Sequence, residues 1–297
     1  MRITSTSSYA TMRDSLATSL SRVNDLQSQL GTMRRINKPS DDPVGSSTAL
    51  RYRAYEADQE SYSQSADDAL TRLAGSDTAL QDASSAVRRV RELAIQATNT
   101  SLSPSAREAL GAQMDALREE LVGLANSAHA GQALFGGHAT SAVGRAADGT
   151  WAYTGDDGQV QRRVAQGTVL ATNIDGRAAF GFDQPAGEDL LSVVDRLAAA
   201  TRSGDLAALG SGQSALADRT TGVLRALAST GAKVNAVEAA RARGEQFVER
   251  ITAERSAIED IDLAEAILQL TAAQTGYQAA LGAVAKANMP SLADFLR

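Results

Sequence analysis

The chain has 297 residues, with 29 Lys and Arg against 35 Asp and Glu for a net charge of −6, two histidines and no cysteine. That balance lacks the electrostatic footprint of a nucleic-acid binder, and the missing thiols remove a disulfide framework, a thiolate metal site and a cysteine nucleophile. Aromatics at 4%, five prolines and heavy use of alanine favour long helices packed by small and aliphatic side chains, so the fold class is read as mainly α.

The opening Met1-Arg2-Ile3-Thr4-Ser5 lacks the apolar core of a cleavable signal peptide. No stretch reaches the roughly 18 uninterrupted apolar residues of a membrane span, so none is expected. Between residues 9 and 33, Tyr9, Met12, Leu16, Ser19, Val23, Leu26, Leu30 and Met33 recur at intervals of 3 and 4, a coiled-coil seam with one polar position. Polar flanks such as Arg13, Asp14, Arg22, Asn24 and Asp25 keep the stripe narrow, which suits one or two partner helices better than a broad core. The helix is expected to stop near Lys38-Pro39, since the residue before proline is pushed out of the α region. The basic groups Arg34, Arg35, Lys38 and Arg88, Arg89, Arg91 read as solvated helix faces or ends.

One inner helix carries Leu73, Leu80, Val87 and Ala94 seven apart, and another carries Leu110, Met114, Leu117, Leu121, Leu124 and Ala128 after a Ser103-Pro104 start. From 138 to 186 glycine, aspartate and alternating residues replace the heptads. Trp151 to Tyr153, Val160 to Val164 and Thr168 to Asn173 read as short strands, with Thr154 to Gly158 as a hairpin turn. Helical patterns resume from about Glu188 to Arg202 and from Asp205 past Ile258, with an interruption expected around Gly210 to Gly212.

A run of Phe247, Ile251, Glu254, Ile258 and Ile261 precedes a second seam of Leu263, Ile267, Leu270, Gln274, Tyr277, Leu281 and Val284, but in a different phase. The phase breaks at Asp260-Ile261-Asp262, and a continuous helix across the break is the expected geometry. The chain is therefore divided into an N-terminal axial helix (1–38), an inner helical body (39–137 and 187–261), a β-rich outer insertion (138–186) and a C-terminal axial helix (262–297). The expectation is that the ends, too narrow in stripe to hold themselves helical, are mobile in the free subunit and fold during assembly.

Chemistry finds little to build on. His129 and His138 have no further histidine or cysteine to complete a metal set, so no metal or other cofactor is expected. The carboxylate pairs Asp41-Asp42 and Asp156-Asp157 are raw material for acid-base work or cation binding, but Asp156-Asp157 reads as hairpin-turn residues facing water, and no G-x-S-x-G, Walker A or dinucleotide fingerprint stands in its required context. The chain is read as a structural building block and not as an enzyme.

Arg35-Ile36-Asn37-Lys38-Pro39-Ser40-Asp41-Asp42-Pro43-Val44-Gly45, directly after a heptad helix, resembles the R-I-N-x-x-x-D-D-x-x-G signature of the bacterial flagellin family. Met1 to Thr4, Pro43, Ala133-Leu134-Phe135-Gly136-Gly137 and the ending Ser291-Leu292-Ala293-Asp294-Phe295-Leu296 look like its hook-filament junction branch. Flagellins commonly carry alanine at the place of Pro43 and a different leucine-rich tail. The resemblance implies export through the flagellar type III channel without a cleaved signal and location at the hook-filament junction. It implies an axial core built from the terminal seams, Leu292, Phe295 and Leu296 included. The implied partners are copies of itself in a ring, the adjoining hook-associated junction protein, flagellin, and a cytoplasmic export chaperone at the C-terminal region. It also implies that Arg35, Asn37, Asp41 and Asp42 fix the junction between terminal helix and body, where the plainer reading is a capped turn. Filament flagellin, a cytoplasmic coiled-coil scaffold and, last, a hydrolase remain as alternatives.

Overall fold

The computed structural model describes residues 2–287, with side chains over 10–286. Leu292, Phe295 and Leu296 lie outside the described residues, as does the side chain of Tyr9. The chain is mainly α with a small β component. Its helices are α1 (Arg2–Thr32), α2 (Pro43–Ala97), α3 (Pro104–Ala125), α4 (Gly176–Phe180), α5 (Leu190–Ser203), α6 (Leu206–Glu259) and α7 (Leu263–Ala287). Between α3 and α4 run β1 (Ala128–His129), β2 (Gln132–Ala133), β3 (Val143–Arg145), β4 (Trp151–Tyr153), β5 (Gln161–Ala165) and β6 (Thr168–Ala171). Two compact units result: Met1–Asp58 with Phe247–Arg297, and Gln59–Gln246.

In the unit of residues 59–246 the seven-residue row of α2 is the spine of the core. Leu73, Leu80, Val87 and Ala94 are all buried, together with Met114 and Leu121 of α3, Leu190, Leu191, Val193, Val194 and Leu197 of α5, and Leu209, Leu216 and Val223 of α6. Ser103 caps α3 by accepting from the Ala106 amide, and Asp189 caps α5 by accepting from Leu191 and Ser192, which satisfies amides that a helix start leaves without partners. Rims of charge tie α3 to α5, where Arg118 pairs with Asp195 and Arg202 with Asp115 and Glu108. The single tryptophan joins this rim: Trp151 donates its indole N–H to Asp195 at 2.8 Å, and Arg145 lies 4.2 Å over its ring.

The structure corrects several expectations. α1 ends at Thr32, short of Lys38-Pro39, because Met33 takes a left-handed φ of 56° and turns the chain aside. α6 runs unbroken through Gly210 and Gly212. A Cβ at Gly212 would lie 2.6 Å from Leu197 Cδ2, so this glycine serves close helix packing and not a chain break. Ala128 falls outside α3: Asn126 closes the helix and turns its side chain to Ala142 and Val143, accepting from both amides and donating to the Val143 carbonyl.

Strand pairing differs as well. β4 pairs with β3 and β5 with β6, both antiparallel, and β1 pairs with β2 as a third separate ladder. Thr154 to Gly158 is therefore a connection and not a hairpin turn. The Asp156 carboxylate accepts from the His138 and Gly158 amides at 2.9 and 2.8 Å, and Tyr153 donates to the Phe135 carbonyl at 2.8 Å, which holds this segment against residues 135–138. Finally, the helix is not continuous across 260–262. α6 stops at Glu259, and Asp262 starts α7 by accepting from the Ala264 and Glu265 amides.

Leu80→Ala, at the centre of the buried row, is expected to cost about 2–5 kcal/mol. Denaturant unfolding followed by Trp151 fluorescence measures it, and a loss below about 1 kcal/mol would remove the row from the core.

Candidate functional site

The candidate site is the unit containing both chain ends. α1 and α7 pack as an antiparallel pair: Leu26 shares a cleft with Ile261 and Ala266, and Ser15 and Ser19 share one with Tyr277 and Ala280. On α1 the side chains turned inward are Met12, Leu16, Ser19, Val23, Leu26 and Leu30, of which Val23 and Leu26 are buried. Met33 lies beyond the helix and is 58% exposed.

On α7 the inward row is Ala266, Leu270, Ala273, Tyr277, Ala280 and Val284. Leu270, Tyr277 and Val284 belong to the seam read from the sequence, whereas Leu263, Ile267 and Leu281 are 47%, 50% and 41% exposed. The alanines at 266, 273 and 280 are seven apart, a period visible in the sequence but masked by the larger leucines beside it. Small side chains on α7 leave an open cleft of about 490 Å³ beside Ser19 and Gly276.

The loop joining α1 to α2 is organised around Arg35. Its amide donates to the Glu259 carbonyl at 2.7 Å, its guanidinium donates to the Ile258 carbonyl at 2.7 Å, and the same group pairs with Asp42 at 3.3 Å. Arg34 and Asp260 form an antiparallel bridge, completed by the Ile261 amide donating to Met33 at 3.3 Å. Ile36 is buried, Asp41 accepts from the Asn37 and Lys38 amides at 3.0 and 2.9 Å, and Asp42 caps α2 through the Gly45 amide at 2.8 Å. A Cβ on Gly45 would stand 2.5 Å from Asp42 Oδ2 and 2.7 Å from Ile36 Cδ1, so the motif needs glycine for space. Asn37 Oδ1 accepts from the Thr32 hydroxyl at 2.7 Å, reaching back to the end of α1.

Four residues of this junction carried no signal in the reading of the chain. Glu259 is a buried carboxylate paired with both Arg53 and Arg255, and Gln29 donates to the Arg35 carbonyl at 3.0 Å. Arg53 and Glu259 are 206 residues apart, so spacing along the chain does not reveal that pair. Electrostatics follow the geometry. Donation by the Lys38 and Asn37 amides holds the Asp41 carboxyl below the usual range, and the Gly45 amide followed by Arg35 does the same for Asp42.

The remaining sequence candidates do not converge. His129 lies 3.7 Å from Asp68, which is itself held by Arg162 at 2.7 Å, while His138 meets Asp156 through its backbone amide. Asp157 pairs with Arg177 at 3.7 Å. A polar recess of about 230 Å³ beside Tyr153, Asp156, Asp175 and Lys233 is present, and burial there pushes the Tyr153 phenol up to about 12. Among the described residues no helix is long and apolar enough to cross a membrane.

Residues 3–140 match the model of the bacterial flagellin N-terminal helical region, and residues 205–296 match that of the C-terminal helical region. The chain belongs to the bacterial flagellin family. Within it, the chain is 24% identical over 276 residues to flagellar hook-associated protein 3 of Escherichia coli K12, covering 84% of this chain and 87% of that one. It is 25% identical over 181 residues to flagellar hook-associated protein 3 of Salmonella typhimurium, covering 61% of this chain and 57% of the relative, so the chain spans little more than half of that relative's length. Polar flagellin C of Vibrio parahaemolyticus aligns over 99 residues at 29% identity, 33% of this chain and 26% of that one. The flagellar junction protein FlgL of Legionella pneumophila shares the fold with a TM-score of 0.60 at 17% identity, over 71% of this chain and 99% of that one. FlgL of Xanthomonas campestris does so with a TM-score of 0.59 at 20% identity, over 69% and 99%.

Asp41 and Asp42 titrate below their unfolded value of 3.8, so the order they add is complete above that pH and is lost as pH falls through the lowered folded values. Protection of the Lys38 and Gly45 amides, taken relative to their intrinsic exchange at each pH, is expected to be high at about pH 5 and low at about pH 2, with Asp42→Ala unprotected at Gly45 at both. Unchanged protection in that variant would remove the carboxylate from the cap.

Proposed function

We propose that this chain is a structural adaptor subunit of the bacterial flagellum, joining hook to filament and incorporated through its terminal helices after type III export. The observation that carries the reading is the extent of likeness: alignment to hook-associated protein 3 runs through most of the chain, whereas alignment to filament flagellin stops at about a third. Its partners are copies of itself in a ring, the adjoining hook-associated junction protein on one side and flagellin on the other. Before export a cytoplasmic chaperone holds the C-terminal region. Function resides in surfaces, with no reaction and no cofactor assigned.

The distribution of charge on the terminal pair supports an assembly role. From Ala266 to Ala285 α7 carries no charged residue on any face, although one side alone is occupied by α1. Leu263, Ile267, Leu268 and Leu281 stand exposed on the other sides. The outward side of α1 instead carries Arg13, Asp14, Arg22 and Asp25. An uncharged helix that leaves Leu263, Ile267, Leu268 and Leu281 exposed carries apolar surface suited to a partner, so α7 is the surface offered to neighbouring subunits. The R-I-N loop then sets where this pair leaves the helical body.

Two measurements test this reading. In a deletion strain complemented with tagged protein, staining at the hook-filament boundary is expected, with unpolymerised flagellin lost to the medium when the protein is absent. Staining along the filament would assign it to flagellin, and a purely cytoplasmic signal to a scaffold. Leu281→Asp is expected to abolish incorporation while changing unfolding of the inner unit by less than about 0.5 kcal/mol. Retained incorporation would exclude this face from assembly.

A further inference from the structure

The chain has three lysines, Lys38, Lys233 and Lys286, and one of them stands in unlike surroundings. Lys38 and Lys286 are exposed, whereas Lys233 on α6 is partly buried and donates its ammonium to the Asn173 carbonyl at 2.5 Å. It lines the polar recess of about 230 Å³ within the unit of residues 59–246, together with Tyr153, Asp156, Asp157, Asn173 and Asp175. The walls are tied in place. Asp156 accepts from the His138 and Gly158 amides, Asp175 caps α4 through the Ala178 amide, and Asn173 bonds to the Val160 amide and the Gly158 carbonyl. These duties use Oδ1 of Asp156 and of Asp175, and among the described residues each Oδ2 accepts no hydrogen bond.

Burial favours the neutral amine and pushes Lys233 below the usual lysine range, with the Asp175 carboxylate opposing the shift. The neutral amine is the nucleophilic form, and a desolvated lysine is suited to attack on a carbonyl carbon. Ionised carboxylates accept hydrogen bonds and donate none, so the open oxygens suit a ligand that brings hydroxyl groups. Asp156, Asp157 and Asp175 stand against the two cations Lys233 and Arg177, the latter 3.7 Å from Asp157, which disfavours an anionic ligand.

We propose that Lys233 is a covalent attachment site for a small uncharged hydroxy aldehyde, whose hydroxyl groups donate to Asp156 and Asp175. The amine nitrogen bonds to the aldehyde carbon while the carbonyl π pair moves to oxygen, which takes up the proton that nitrogen releases. The resulting carbinolamine expels one water and leaves an imine, with no oxidation or reduction. The site lies in the inner unit, so it does not depend on the reading as a junction subunit.

The full-length chain is treated at pH 7 with D-glyceraldehyde and cyanoborohydride, which reduces each imine to a stable amine, and labelling is mapped by peptide mass spectrometry. Lys38 and Lys286 serve as internal references. Initial labelling at Lys233 is expected to exceed that at either reference by at least about fivefold. The ratio is expected to fall to about one in 8 M urea, where the recess is lost, and to drop at least about threefold with propanal, which has no hydroxyl, or with anionic glyoxylate. Equal labelling of the three lysines in the folded chain overturns the site, as does a preference that survives urea. An undiminished ratio with propanal or glyoxylate overturns recognition by the carboxylates.

Discussion

Helices that stop side by side leave amides and carbonyls without intrahelical partners, and at Arg35 those demands meet. Its amide and guanidinium take the last two carbonyls of α6, Ile258 and Glu259, while its charge steadies Asp42 at the start of α2. One residue therefore meets both the end of α6 and the cap of α2. Ile36 buries the hydrophobic contact beneath, and Gly45 gives it room. Glu259 adds a carboxylate shared by Arg53 and Arg255, so the two long helices reach the junction already tied to each other. Most of these contacts are charge-assisted, which makes them stronger and more directional than neutral bonds.

α1 contributes large aliphatic side chains and α7 meets them with alternate alanines, so the interface is close but shallow. A shallow two-helix contact buries too little apolar surface to offset the ordering of both segments. What remains exposed on α7 between Ala266 and Ala285 is uncharged, with Ile267, Leu268 and Leu281 among glutamines and threonines.

The unit of residues 59–246 follows a different logic. Its core is a conventional apolar cluster around the α2 row, closed by ionic rims between α3 and α5 and by the indole of Trp151. The short ladders attach through side chains that satisfy backbone groups, Asn126 and Asp156 foremost. The carboxylate pair that invited a chemical reading is divided between such duties: Asp156 staples a loop, and Asp157 meets Arg177.

Periodicity along the chain determined the helices, the buried row at Leu73, Leu80, Val87 and Ala94, the inward stripe of α1 and the presence of short strands, because these depend on contacts that repeat every few residues. The R-I-N loop marked the family and the place of the junction. Tertiary structure alone decided three matters. α7 turned Ala266, Ala273 and Ala280 inward beside Leu270, Tyr277 and Val284, small positions that a hydrophobicity pattern dominated by larger side chains does not mark. β4 paired with β3 because Asp156 and Tyr153 tied the next segment elsewhere. The helix broke at Asp260, where a backbone bridge to Arg34, 226 positions distant in the chain, replaced the bonds that continuing it would have made.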